Sequence, residues 1–129
     1  MLAIAAGCAG CGLSVQAPDL FLITRTGAGG RLTLLVNDGG TVRCNGGASK
    51  SLPDPLLLQA RDLANTLDND AKAKRRFPAM GPAIYHYTIK LQDGTISFPD
   101  TAAQAHSELA QAELLTLQIA EGPCGLSSR

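Results

Sequence analysis

Apolar residues recur at helical spacing between Asp54 and Lys74. Leu56, Leu57, Ala60, Leu63, Ala64, Leu67 and Ala71 repeat at intervals of three and four residues, with adjacent pairs at Leu56-Leu57 and Leu63-Ala64. At about 100° per residue they fall within one arc of roughly 120°. Gln59, Arg61, Asp62, Asn65, Asp68, Asn69 and Lys72 take the other side. Asp54 before Pro55 reads as a cap followed by proline where a missing N–H costs nothing. This helix needs an apolar surface to cover.

The stretches on either side read as strands that provide it. Leu20 to Arg25 is apolar on both sides of the pleat, which suits a covered strand. In Arg31 to Asn37, Leu32, Leu34 and Val36 share a face. Asp38-Gly39 reads as a type I′ hairpin turn, and Thr41 to Asn45 returns with Val42 and Cys44 inward. Gly46 to Pro53 reads as a loop. After the helix, Arg76 to Pro82 holds two Pro and a Gly and reads as a connector. Ala83 to Leu91 alternates, with Tyr85, Tyr87, Ile89 and Leu91 on one face. Asp93-Gly94 turns it into Thr95 to Phe98. A second helix is expected from about Ala102 to Glu121, capped by Asp100 or Thr101. Its apolar residues surround the cylinder, so no buried face is assigned. The predicted fold is α+β: a five-stranded antiparallel sheet in the order β-β-β-α-β-β-α, with two helices on one face. Thr41, Arg43, His86, Thr88, Lys90, Thr95 and Ser97 fall on the open face.

Composition narrows the function classes. The chain has 129 residues, which points to one domain, and 45% are hydrophobic. Two Tyr, three Phe and no Trp leave the core to aliphatic side chains. Eleven basic residues balance eleven acidic ones. Nucleic-acid binding needs clustered, uncompensated cations and is not expected. No apolar run approaches the roughly 20 residues needed to cross a bilayer.

The N-terminal run Met1 to Cys11 leads an apolar stretch into small residues and then cysteine. Ala5-Ala6-Gly7-Cys8 resembles the lipobox of bacterial lipoproteins, and Cys8-Ala9-Gly10-Cys11 is the alternative reading. The resemblance implies lipidation at Cys8 (alternative Cys11) and a membrane anchor through that lipid. It also implies an extracytoplasmic place in the cell envelope. No Lys or Arg precedes the stretch, which is shorter than a signal core, so the true start is either upstream or the segment is an ordinary apolar tail. Residues 1–17 are therefore set apart as signal remnant and tether, and residues 18–129 form the domain.

Cys44 and Cys124 remain as a pair within the domain. In an exported protein they are expected to form a disulfide; otherwise they are buried thiols. Cys8-Ala-Gly-Cys11 precedes no βαβ unit and is not read as a redox or metal motif. His86 and His106 lack ligand or carboxylate partners at motif spacing. Asp68-Asn-Asp70 reads as a solvated helix face. No catalytic constellation, metal site or cofactor is expected.

The candidate binding loop is Arg76 to Pro82, with Arg76, Phe77 and Met80 expected at its surface. It carries a resemblance to secreted subtilisin-inhibitor-like proteins. Thr41-Val-Arg-Cys44, Pro53-Asp-Pro55, Ala60-Arg-Asp-Leu-Ala64 and Met80 to Tyr85 are similar in order to that family, over roughly Leu32 to Phe98. Two cysteines of the family, early in the helix and beside the inhibitory loop, have no counterpart here. The sequence thus points to a non-catalytic, lipid-anchored domain binding an unidentified protein or envelope component. The alternative is a protease-inhibitor-like module using the loop around Met80.

Overall fold

The computed structural model describes Val15 and residues 18–126. Strand β1 (Asp19–Gly27) pairs with β2 (Gly30–Asn37) through the turn at Ala28 and Gly29, with an irregularity at Leu20. Then come β3 (Thr41–Cys44), β4 (Ser49–Ser51), α1 (Asp54–Lys72), β5 (Tyr85–Leu91) and β6 (Gly94–Pro99). A 3-10 turn, Asp100–Gln104, leads into α2 (Ser107–Glu121). The sheet has six strands in the order β4-β3-β2-β1-β5-β6, with every described pair antiparallel.

The extra strand corrects the five-stranded expectation. Ser49–Ser51 lies in the stretch read as a loop, and its three exposed residues carry no apolar alternation. It is held by pairing to Thr41, Val42 and Arg43. Such an edge strand is specified by backbone hydrogen bonds and leaves no side-chain pattern to read.

The doubly apolar β1 takes a central place, between β2 and β5. Phe21 and Ile23 on its covered face have no solvent exposure. Leu34 and Val36 on β2, Val42 on β3, Ile89 on β5 and Phe98 on β6 join them in one core. The face of α1 built from Leu57, Ala60, Leu63, Ala64 and Leu67 closes that core. Leu109, Ala112, Leu115, Ile119 and Ala120 of α2 do the same. The two helices also pack on each other.

Three local expectations change. The α1 N-terminus has no side-chain cap: Pro53 precedes the helix and its carbonyl accepts the N–H groups of Leu56 and Leu57, each at 3.0 Å. The β2–β3 connection is not type I′, because only Gly40 among its turn residues has positive φ (96°). A 3.0 Å bond from Gly40 N–H to the Asn37 carbonyl closes a three-residue connection of the type that ends in a left-handed residue. The second helix starts five residues later than expected. Asp100 and Thr101 are engaged with the loop before β5, so this segment makes a 3-10 turn first.

Cys44 and Cys124 form a disulfide, with Cα atoms 5.9 Å apart. Cys44 lies opposite Leu34 at the end of β3, and Cys124 follows α2, so the bond ties the last helix to the sheet. Replacing both cysteines by Ser is expected to lower unfolding stability by about 4 kcal/mol at most. Urea denaturation without reductant checks this, and wild-type protein in dithiothreitol should fall to the level of the double variant.

Candidate functional site

The loop singled out from the sequence is an anchored strap. Phe77 is buried, contrary to the expectation of an exposed loop tip. Its ring meets Phe98 edge-on at 6.4 Å and His106 edge-on at 4.9 Å, with the Arg75 guanidinium 5.6 Å away. An aromatic residue beside a proline in a loop looks exposed in sequence, yet here it fills the gap between β6 and the start of α2. Arg76 and Met80 are exposed.

The 3-10 turn braces the far side of this strap. Thr101 Oγ1 accepts the Met80 N–H at 3.1 Å and donates to the Gly81 carbonyl at 3.0 Å. Asp100 accepts the N–H groups of Ile84 at 3.3 Å and Tyr85 at 3.1 Å. Met80 and Ile84 stand outward between these fixed points, 52% and 67% exposed.

A second constellation lies where β1 and β5 emerge from beneath α2. Alternation along β1 puts Arg25 in phase with Phe21 and Ile23, on the helix side of the sheet. Arg25 lies between Leu32 of β2 and Tyr87 of β5 in the register. Its guanidinium sits 4.5 Å from the Tyr85 ring centroid, a cation–π contact. Tyr87 is buried and stacks on Phe98 at 5.1 Å. Opposite them, α2 presents Ala110, Glu113, Leu114 and Leu117. Together with Asp100 these residues line an open cleft of about 410 Å³. A smaller hollow of about 210 Å³ continues past Leu117 to Leu126.

Glu113 is the chemically distinctive group of this cleft. Its Oε2 is shielded from solvent and accepts no hydrogen bond from the described residues. Burial, reinforced by the charge of Asp100, pushes its carboxyl up to about 7. Burial first, then the Glu113 charge, pushes the Tyr87 phenol up to about 12, with Arg25 working the other way.

A third cluster joins the helices. Asp70, expected on a solvated face, is buried between them. Arg75 donates to its Oδ1 at 3.1 Å and lies 3.8 Å from Glu108. Burial and the neighbouring Glu108 raise the Asp70 carboxyl. Burial opposes ionisation of Glu108, yet a hydrogen bond from Asp70 and its own backbone bring it below the usual range. The Arg75 guanidinium thus joins an acid on each helix, Asp70 of α1 and Glu108 of α2.

The lipidation residues Cys8 and Cys11 lie outside the described residues. Among the described residues no group of three or more His, Cys, Asp or Glu is placed to hold a metal ion, and no helix is long and apolar enough to cross a membrane.

No family model, curated protein or solved structure matches this chain. The functional reading therefore rests on its own residues. Sequence reasoning missed the Arg25–Glu113 cleft, although two signals were present. Arg25 occupies an apolar phase of β1, and α2 carries more apolar residues than one buried face requires.

Phe77→Ala is expected to cost about 3 kcal/mol of stability, whereas Met80→Ala stays within about 0.5 kcal/mol; chemical denaturation separates them. For Glu113, the folded-state value of about 7 lies above the ordinary 4.5. The folded state therefore retains the proton longer, and stability falls as pH rises from about 4.5 to 7. Glu113→Gln should be more stable than wild type by about 1 kcal/mol at pH 8, after allowing for solvent screening. The gap should close at pH 4, as read from thermal melts at both values.

Proposed function

We propose that this chain is a non-catalytic domain held outside the cytoplasm by an N-terminal lipid, where it binds a protein or envelope component. The observation that carries this reading is the Cys44–Cys124 disulfide. Such bonds persist in oxidising compartments and are rare where thiols are kept reduced. The lipobox-like approach to Cys8, or alternatively Cys11, supports the same compartment and supplies the anchor. A binding role is supported by exposed apolar side chains on braced backbone, where little ordering cost remains. Met80 and Ile84 on the strap, and Leu114 and Leu117 on α2, are of this kind.

A second reading, a protease-inhibitor-like module, is favoured by one observation. Thr101 and Asp100 hold the backbone on both sides of the exposed Met80–Ile84 segment. A segment fixed this way presents its side chains in one conformation to a protease cleft.

The deciding measurement is the intact, non-reduced mass of the protein from the membrane fraction of its native host. The expected result is a di- or triacylated chain beginning at Cys8 or Cys11, two hydrogens lighter for the disulfide. An unmodified, free-thiol chain in the soluble fraction overturns the anchored reading. A protease panel tests the second reading. Inhibition at micromolar concentration that is lost in Met80→Asp supports it, and no inhibition removes it.

A further inference from the structure

The outer side of α2 has its own apolar stripe. Leu114 and Leu117, one helical turn apart, are 54% and 37% exposed, and Leu126 beyond the helix is 36% exposed. These residues face solvent beside the cleft, while the opposite side of α2 is already packed in the core. The polar groups of the cleft are unevenly satisfied. Asp100 is occupied by the N–H groups of Ile84 and Tyr85. Arg25 lies on the Tyr85 ring. Glu113 Oε2 alone is shielded and unpartnered among the described residues lining the cleft.

Charge decides what suits this place. With Glu113 ionised, Arg25 is outnumbered by two carboxylates, so an anionic ligand is opposed and a cation is favoured. The leucines flanking Glu113 favour an apolar stem and neighbours over a purely polar ligand such as a sugar. A Lys or Arg side chain combines the two, because its methylenes cover apolar surface while its charged head reaches a carboxylate.

We propose that the cleft between α2 and the β1–β5 end binds a basic, apolar peptide segment of a partner protein. Its Lys or Arg pairs with Glu113, and its apolar neighbours cover Leu114 and Leu117. This deepens the binding-domain reading and rests on it, but needs neither the lipid anchor nor the Met80 strap. Cation binding selects the ionised form of Glu113, so affinity rises as pH increases from 5.5 to 8. Arg25 on β1, Tyr85 and Tyr87 on β5, and Asp100 on the 3-10 turn face the same cleft. Tyr87, with its value near 12, stays protonated across that range.

The test is a nuclear magnetic resonance titration of the full chain, isotope-labelled, with acetyl-Ala-Leu-Lys-Leu-Ala-amide. Amide shifts are expected along residues 110–117 and at Arg25 and Tyr85. The same peptide with Gln replacing Lys should bind about tenfold more weakly, the scale of losing one charge-assisted hydrogen bond. Glu113→Gln, whose neutral amide resembles the protonated acid, should remove that preference and flatten the pH dependence. Leu114→Asn, at an exposed position, should weaken binding about fivefold while leaving the remaining spectrum unchanged. Equal affinity for the Lys and Gln peptides, shifts elsewhere, or no shift at about 10 mM peptide overturns the proposal. A response only to N-acetylglucosamine oligomers overturns it in favour of a glycan. Concentration-dependent shifts at Leu114 and Leu117 without peptide, and none with it, overturn it in favour of a second copy. A lipidated chain that ignores the peptide sinks the cleft alone, and an unlipidated chain that binds it sinks the anchor alone.

Discussion

A single sheet with both helices packed on one face constrains everything else in this molecule. Phe21, Ile23, Leu34, Val36, Ile89 and Phe98 point to the same side, where none has solvent exposure. The other side carries Arg43, His86, Lys90, Thr95 and Ser97, all exposed, around the buried Leu22 and Thr33. Burial of the first side drives folding, and among the described residues the two helices supply most of it, with Phe77 and Ala102 filling in beside them. Two helices do not extend over every position of the covered face. Arg25 and Tyr85 lie where that cover runs out, on the core side of the pleat yet within reach of solvent. The cleft follows from the difference between the length of β1 and the reach of α2.

The carboxylates show how a chain of zero net charge can still be electrostatically specific. Asp100 holds backbone N–H groups and so fixes where β5 begins. Asp38 meets Arg61 at 2.6 Å, which fastens the β2–β3 turn to α1 at an exposed site of modest energetic weight. Asp70 and Glu108 share Arg75 between the helices. Each of these acids has a hydrogen-bonded or ionic neighbour, although Asp70 bonds through Oδ1 alone. Glu113 Oε2 is shielded without a hydrogen bond from the described residues, which marks it out more clearly than its position in the sequence does.

Much of this architecture was legible in the chain, because period determines face. The stripe of α1 from Leu57 onward, the inward residues of β2, the inward residues of β5 from Tyr87 onward, and the double apolar character of β1 at Phe21, Leu22 and Ile23 translated into burial, whereas Leu56 and Tyr85 are partly covered. The two domain cysteines were legible as a pair, since one lay on an inward strand phase and the other beyond the last helix, and they form the disulfide. What stayed hidden depends on partners distant in sequence. The strand at Ser49–Ser51 exists through its ladder to β3, and nothing in Ser-Lys-Ser says so. Phe77 is buried by Phe98 and His106, residues some twenty to thirty positions away. Asp70 looks solvated until α2 is placed against α1. The ambiguity of α2 had a physical source: it has one face for the core and a second that the domain itself does not use.

The disulfide closes a covalent ring from Cys44 to Cys124, across a separation of 80 residues. Both helices, β4, β5, β6 and the Met80 strap lie inside that ring, whereas the central β1–β2 hairpin lies outside it. A single cut in the strap would therefore open the ring without releasing a fragment, and the severed ends would remain tied through the cystine. A protease that clipped the exposed Met80 segment would gain no separated product. The clipped and intact chains would travel as one species until a reductant parted them.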